Sequence, residues 1–251
     1  MRVLKYGLAG VGIYLVFLLV TMPAAWVWQM VPKMPGVELR GISGSLWQGQ
    51  AAQFSAAGRQ LEQLSWTLHP AQLITGNLAL SLTVNDPVVK GQGELQYGFS
   101  GLQAQGVRLS APIPWLLGNT RLPLRTKIQG AVTLNLRELA QGEPWCEALA
   151  GRTVINGLDV RNQFGHYPIG DIAGNLICRD GNAVLNLDAA ENRIGVAGEA
   201  VLMAGNQVKV EATIRETEEQ SEDLRQALTF LGQPDSSGAY SLNYNGPVPG
   251  L

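Results

Sequence analysis

The sequence predicts a mainly β protein, in which a single N-terminal transmembrane helix is followed by an extended antiparallel, twisted and curved β-sheet domain with one short C-terminal helix. Residues 6–31 contain no Asp, Glu, Lys or Arg. Beyond them, glycine repeatedly precedes alternating apolar and polar residues, and one late segment has helical spacing. We therefore expect a cytoplasmic tail, residues 1–5, a transmembrane helix, 6–31, and a periplasmic β-rich domain, 32–251.

Composition and charge exclude some classes of function. The 251 residues include 18 Lys and Arg against 20 Asp and Glu, which gives a net charge of −2 and a pI near 5.7. A nucleic-acid-binding protein needs a basic excess that this chain lacks, so no nucleic-acid partner is expected. The apolar content of 46% is sufficient for a folded core and argues against disorder.

The uncharged N-terminal segment has the length of a membrane span. Its 26 residues cross a bilayer with some tilt. Arg2 and Lys5 precede it, and basic residues favour the cytoplasmic side. Trp26 and Trp28 lie near its far end, where tryptophan favours the membrane interface.

A cleaved signal peptide is the alternative interpretation of the same segment. Residues 2–5 would be the basic region and 7–20 the apolar region. Cleavage after Ala25 or after Ala24 would place Pro23 or Met22 at the third position back, and neither gives the small-x-small pattern of a processing site. The sequence therefore favours an uncleaved anchor.

The two cysteines, Cys146 and Cys178, both follow the predicted span. In an oxidising compartment an isolated pair most simply forms a disulfide. Two free buried thiols or a metal site are the alternatives. The metal site is disfavoured because His69 and His166 are the only histidines, and neither has a recognisable spacing to a cysteine.

Alternation with a period of two predicts about ten to fourteen strands. Turn signals such as Asn85-Asp86-Pro87 separate them, so an antiparallel meander is expected. The glycines that begin many of the segments are interpreted as turn or bulge positions. The predicted strand segments are 63–69, 76–82, 93–97, 104–109, 130–136, 174–178, 183–187, 198–202, 208–214 and 238–244.

Two segments break this pattern. Residues 217–220 resemble a capping box, and the helix that follows would have one apolar stripe and end at Gly232. That stripe comprises Leu224, Ala227, Leu228 and Leu231. The acidic residues at the helix start are interpreted as a solvated helix terminus, with a docking face for a basic partner as the alternative. A second short helix is predicted over 113–117, where Pro112 and Pro114 limit its length.

Convergent groups for catalysis are not recognisable. No serine lies in a nucleophile elbow. His69 and His166 are interpreted as structural or surface residues, and the carboxylates are scattered along the chain. We therefore predict no enzyme, no catalytic residue, no cofactor and no metal.

Several motifs carry a family resemblance. Residues 41–49, with Trp47 between two glycines, are followed by 64–70 and 76–78, by the cysteine pair, and by 231–242. Together they resemble type II secretion system protein N, also called general secretion pathway protein N, over essentially the whole chain. The glycine and alternation pattern is also similar to AsmA-like β-rich envelope proteins.

The resemblance implies a single-pass protein of the bacterial inner membrane, with a cytoplasmic N-terminus and a periplasmic bulk, within the machinery that exports folded proteins. Its implied partners are other inner-membrane or periplasmic secretion components. We expect a non-enzymatic assembly or scaffold subunit, with Trp47 as a candidate partner contact. The alternative is an AsmA-like protein that holds or transfers lipid in an apolar β trough. That alternative requires an apolar sheet face on which nothing packs.

Overall fold

A computed structural model describes residues 6, 10–12, 14, 17, 18, 20–32, 35–56, 58–118, 120 and 122–248. The predicted cytoplasmic tail and seven residues of the predicted membrane span, 7–9, 13, 15, 16 and 19, lie outside these residues. Within them, none of the helices combines the length and the apolar character needed to cross a bilayer.

The described part of the predicted span differs from one continuous helix. Residues 21–23 are not helical, and a separate helix, α1 (Ala24–Met30), begins after Pro23. Proline has no N–H to donate to the preceding turn, so a break at this position is expected. Pro23 instead forms an isolated antiparallel bridge with Ser45.

The described residues form one sheet of 13 strands, whose spatial order is the same as their order in the chain. Every neighbouring pair is antiparallel, which confirms the predicted meander and the predicted number of strands. The strands are β1 (Glu38–Gly44), β2 (Gln48–Ala56), β3 (Arg59–Leu68), β4 (Leu78–Asn85), β5 (Lys90–Gly98), β6 (Gly101–Pro112), β7 (Lys127–Gln141), β8 (Cys146–Asn162), β9 (Gly165–Arg179), β10 (Asn182–Leu187), β11 (Val196–Met203), β12 (Gln207–Arg215) and β13 (Ala239–Pro247).

A bulge in β6 preserves the apolar alternation of the sheet. The register shifts between Gln92 and Glu94 of β5, where Gly106 has a φ of +59°. The extra residue lets Ala104 and Val107 fall on the same side of the strand, although they are three residues apart. Glycine suits this position because a side chain is disfavoured at positive φ.

The sheet has two ends, which we name by their distance from the N-terminal segment. The proximal end carries the turn 45–47, and it also carries helix α2 (Pro70–Leu73) between β3 and β4. The distal end carries α3 (Ile113–Leu117) after β6 and α4 (Glu222–Leu228) between β12 and β13. The predicted helix over 113–117 is confirmed.

Arg59 holds α3 at the distal end. Its Nε donates to the carbonyl oxygen of Trp115 at 3.1 Å, and its guanidinium also donates to the carbonyl of Leu116. The same guanidinium lies 5.8 Å from the centre of the Trp115 ring. The last carbonyl groups of a helix accept no hydrogen bond from within the helix, and a nearby cationic side chain can donate to them.

Helix α4 begins later than the capping-box pattern indicates. Its N-cap is Ser221, whose Oγ accepts a hydrogen bond from the Leu224 N–H at 3.3 Å. Gln220 is buried and donates to the carbonyls of Ile194 and Arg215, at 2.7 and 2.8 Å. The prediction of a start at 217–220 is therefore wrong, because Gln220 links α4 to the strand ends instead of entering the helix.

The predicted end and apolar stripe of α4 are confirmed in part. A 3-10 turn, Thr229–Leu231, continues the helix to Gly232, which has a φ of +113°. Leu224 and Leu228 are buried, whereas Leu231 is exposed. Leu224 packs with Ile194 and Val196 against partly buried residues of the sheet, namely Tyr167, Ile169, Ile172, Leu187 and Ile214.

Cys146 and Cys178 form the predicted disulfide. It joins the beginning of β8 to the end of β9, and Cys146 is almost completely buried. The neighbouring Trp145 donates its ring N–H to the Met203 carbonyl at 2.8 Å. Two tethers therefore hold the proximal ends of β8 to β11 together.

A buried carboxylate fixes the turn between β4 and β5. Asp86 Oδ1 accepts from the N–H groups of Val88 and Val89, and Oδ2 accepts from the N–H of Glu62. Burial acts to raise the pKa of Asp86, but the three backbone hydrogen bonds outweigh it and hold the pKa below its usual value. Asp86 therefore stabilises the fold in its charged form.

Replacing Asp86 by Asn is expected to lower the free energy of unfolding by about 1 to 3 kcal/mol at pH 7, because an amide supplies only one accepting oxygen. A lowered folded-state pKa contributes stability above the unfolded-state value, near 3.8, and this stability is lost as the pH falls through the folded-state value. Urea unfolding should therefore show that the difference in the free energy of unfolding between Asp86→Asn and wild type becomes smaller at low pH. The exposed Asp180→Asn is the control, and a pH-independent difference for Asp86→Asn would contradict the assignment.

Candidate binding face

One face of the sheet is apolar across eleven neighbouring strands. Directly opposed residues of antiparallel strands share a face, so the register places Leu82 of β4 beside Trp66 of β3 and Gly93 of β5. Extending this register defines a surface that we call the apolar face. From β3 to β13 it comprises Leu64, Trp66, Leu68, Leu78, Leu80, Leu82, Val84, Leu95, Tyr97, Leu102, Ala104, Val107, Leu109, Ala111, Val132, Leu134, Leu136, Leu139, Leu149, Ile155, Ile172, Leu176, Leu185, Leu187, Val196, Ala200, Leu202, Val208, Val210, Ile214, Tyr240, Leu242 and Tyr244.

Charge is confined to the other side of the sheet. None of the residues of the apolar face is charged. The register places Lys90, Glu94, Arg108, Glu138 and Arg152 on the opposite face, which we call the polar face. The alternation in the sequence therefore corresponds to one apolar and one polar face from β3 to β13.

Much of the apolar face is half-exposed. Leu78 is 42% exposed, Leu102 38% and Tyr244 41%. The one hydrophobic core cluster in the described part of the chain is the corner beneath α4. The accessible surface is 16329 Å², against about 11,000 Å² for a compact protein of this mass. A partly exposed apolar surface that extends over eleven strands indicates a binding surface.

Glycines inside the strands let aliphatic side chains lie across the apolar face. A Cβ at Gly93 would lie 2.9 Å from the side chain of Val107, and one at Gly151 would lie 2.6 Å from the side chain of Leu136. These positions are within strands, so interpreting the recurring glycines as turn or bulge positions is incomplete. A strand glycine also provides space for a neighbouring side chain.

The two edges of the sheet differ. Strand β1 carries the ion pair between Glu38 and Arg40, has Gly41 at a φ of +64°, and lies next to α1. Features of this kind protect the edge of a sheet from pairing with another chain. Strand β13 is uncharged over its nine residues, and it contains no positive φ.

The register shows which groups β13 presents at its edge. The Val248 N–H donates to the Asn206 carbonyl at 2.9 Å, which makes this a hydrogen-bonded pair. Hydrogen-bonded and non-hydrogen-bonded pairs alternate along an antiparallel ladder. The N–H and C=O groups of Ser241, Asn243 and Asn245 therefore point away from β12.

The three tryptophans for which the sequence predicts a role lie near the proximal end. Trp47 is half-buried in the turn between β1 and β2, and its carbonyl accepts from the Leu68 N–H at 2.7 Å. On α1, Trp26 is exposed and Trp28 is half-buried. The roles predicted for them, a partner contact for Trp47 and interface positions for Trp26 and Trp28, stay predictions.

The two histidines have ordinary polar partners. His69 Nε2 lies 2.8 Å from Ser81 Oγ, and His166 Nε2 lies 2.5 Å from Asp159 Oδ2. The hydrogen bond from His166 is the main cause that holds the pKa of Asp159 below its usual value. In the described ranges, no three His, Cys, Asp or Glu side chains are grouped so that they could hold a metal ion.

A largely uncovered apolar face and a sheet edge with three outward-facing residues, Ser241, Asn243 and Asn245, are features of a protein that acts by binding. The family model described as Type II secretion system (T2SS), protein N, matches residues 35–243. The chain therefore belongs to this family and is a non-enzymatic component of the type II secretion system. The resemblance to this family that the sequence motifs indicated is thereby confirmed.

Relatives cover nearly the full length of the chain. Type II secretion system protein N of Aeromonas hydrophila is 35% identical over 240 residues, which are 94% of each chain. The protein of the same name from Vibrio cholerae serotype O1 is 28% identical over 252 residues, 98% of this chain and 99% of the relative. No solved structure matches the chain.

Proposed function

We propose that this secretion component is an assembly subunit, anchored in the inner membrane by its N-terminal segment 6–31, whose periplasmic sheet binds other components of the machine. The segment has the length and lack of charge that a membrane span needs, and Arg2 and Lys5 favour a cytoplasmic N-terminus. The disulfide supports a periplasmic location for the sheet, because such bonds persist in oxidising compartments. Trp26 and Trp28 would then lie at the membrane interface.

The observation that carries the assembly role is the edge of β13. Ser241, Asn243 and Asn245 direct their backbone groups outward without an intervening charge or bulge, and Pro247, which has no N–H, lies beyond them at the end of the strand. A partner segment adds to such an edge by main-chain hydrogen bonds, and its alternate side chains give specificity. The partner would place apolar residues beside Leu242 and Tyr244, because these lie on the apolar face.

Replacing Asn243 by Pro is expected to reduce co-purification of secretion components by about tenfold, because it removes an outward N–H and leaves the pairing with β12 in place. The measurement is affinity purification of the full chain from gently solubilised membranes, with partners quantified by mass spectrometry. Asn243→Thr keeps the N–H and is the matched control. Full partner recovery with the proline variant would exclude this edge as the assembly site.

Trp47 is proposed as a second contact for a partner. It follows the N-terminal segment closely in the chain and lies in a turn that also contacts β3 through the Trp47 carbonyl. A neighbouring subunit in the membrane would meet this turn before it met the distal end of the sheet.

A second candidate function is holding or transferring lipid acyl chains, and the absence of charge from the apolar face favours it. At about 4.8 Å between strands, the face from β3 to β13 is about 48 Å long. Each leaflet of a bilayer contributes about 15 Å of hydrocarbon, so the face has room for several acyl chains end to end. This is the open apolar surface that the AsmA-like alternative requires.

One purification distinguishes the two functions. Stoichiometric secretion components without enriched lipid would support the assembly subunit. Phospholipid that remains after delipidating washes, with no stable protein partner, would support the lipid trough.

A further inference from the structure

Three neighbouring loops at the proximal end of the sheet carry no charge. They are the turn 45–47, the segment 69–77 and the turn 99–100, and none contains Asp, Glu, Lys or Arg. We call these loops the apolar tip. In the other half of the sheet, two of the three loops at the same end contain a charged residue, Glu143 or Asp180, and the third, 204–206, contains none.

Large apolar side chains project from the apolar tip. Ile74 is 89% exposed and Phe99 is 97% exposed, and Leu73 is 43% exposed. A Cβ at Gly76 would lie 2.9 Å from the Phe99 ring, so the second and third loops are in contact. The Trp47 carbonyl accepts from the Leu68 N–H, which connects the first loop to the strand that leads into the second.

The apolar tip adjoins the N-terminal segment. The Leu46 N–H donates to the Met22 carbonyl at 2.9 Å, and Pro23 forms a bridge with Ser45. Residues 22 and 23 belong to the 26-residue uncharged segment. Whatever medium surrounds that segment therefore lies directly beside the apolar tip.

The apolar tip is also continuous with the apolar face. Leu78 follows the loop 69–77, and the register places it opposite Tyr97 of β5, which is in turn opposite Leu102 of β6. All three are exposed by more than a third. An uncharged surface therefore runs from the N-terminal segment through the loops to the sheet.

We propose that the apolar tip inserts into the surface of the same membrane that holds the N-terminal segment, so that the apolar face opens toward the bilayer. The inference rests on the membrane anchoring in the proposed function. Apolar side chains buried at the boundary between headgroups and acyl chains stabilise such contact, and charged side chains oppose it. Insertion would also orient the sheet, because a second attachment point restricts its rotation about the anchor.

Depth-dependent quenching tests the proposal. The full chain, reconstituted in phosphatidylethanolamine and phosphatidylglycerol vesicles, carries one environment-sensitive fluorophore at Ile74→Cys or at Phe99→Cys. The native cysteines are in the disulfide and leave a single reactive thiol. Both positions are almost completely exposed, so the substitutions are not expected to affect folding.

Doxyl-labelled lipids are expected to quench these two labels by about twofold, because inserted side chains reach about 5 to 10 Å into the interface. Phe164→Cys and Phe230→Cys are the matched controls. They replace exposed phenylalanines at the distal end, and their fluorescence should not change.

The outcomes separate this inference from the proposed anchoring. Equal quenching at all four positions, or none at Ile74 and Phe99 while the protein co-sediments with vesicles, would overturn the inserted tip and leave the anchor intact. Protein that does not co-sediment with vesicles would overturn both. Burial of both tip labels only on addition of a secretion component would assign the tip to a protein partner and overturn the inference.

Discussion

Replacing Cys146 and Cys178 together by Ser is expected to lower the free energy of unfolding by about 3 to 4 kcal/mol. The disulfide joins two cysteines that are 32 residues apart in the sequence. In the chain-entropy account, its loss increases the conformational entropy of that loop in the unfolded state. The effect should be large here, because so much of the sheet lacks a second layer and few buried side chains compensate. Urea unfolding of the two proteins measures the difference.

A reductant provides the internal control for this prediction. Wild type in dithiothreitol should unfold at the same urea concentration as the double serine variant, and the variant itself should not respond to dithiothreitol. A variant as stable as oxidised wild type would show that the network of strand hydrogen bonds, and not the cross-link, holds β8 and β9 together.

Replacing Leu82 and Leu95 together by Lys is expected to lower the amount of protein or lipid bound to the apolar face by at least about tenfold. Both side chains are half-exposed in the uncovered sheet, so their lysine replacements reach water until an occupant covers them. Covering them then requires desolvation of two unpaired charges. The measurement is mass spectrometry of proteins and lipids that co-purify with the full chain.

The adjacent residues on the same strands supply the control. Thr83→Lys and Gln96→Lys add the same two charges to β4 and β5, but on the polar face, and should leave occupancy unchanged. Urea unfolding of both double variants checks that the sheet remains folded. Equal occupancy in the two double variants would show that the apolar face is not the binding surface.

Local features were predictable from the chain alone. Alternation with a period of two identified most strands, because each half-buried strand repeats its pattern over a few neighbouring residues. The helix over 113–117 followed in the same way from prolines that limit it on the N-terminal side. The disulfide followed from only two cysteines in a segment assigned to an oxidising compartment.

Features that depend on distant residues were not predictable. The start of α4 was placed too early because the hydrogen bonds of Gln220 to Ile194 and Arg215 are invisible in the local pattern. The exposure of Ile74 and Phe99 was also missed. Ile74 lies in the segment 69–77 and Phe99 in the turn 99–100, and only the folded sheet brings these loops to the same end.

The amino-acid sequence by itself determined the β class, the two faces of each strand, the disulfide and the family, since these depend on composition, short-range periodicity and motifs. Only the tertiary structure decided that the apolar faces of β3 to β13 join into one surface and that it is left largely uncovered. The alternation of one strand shows which side is apolar, but what covers that side depends on whether another part of the chain packs on it, and only the folded structure shows this.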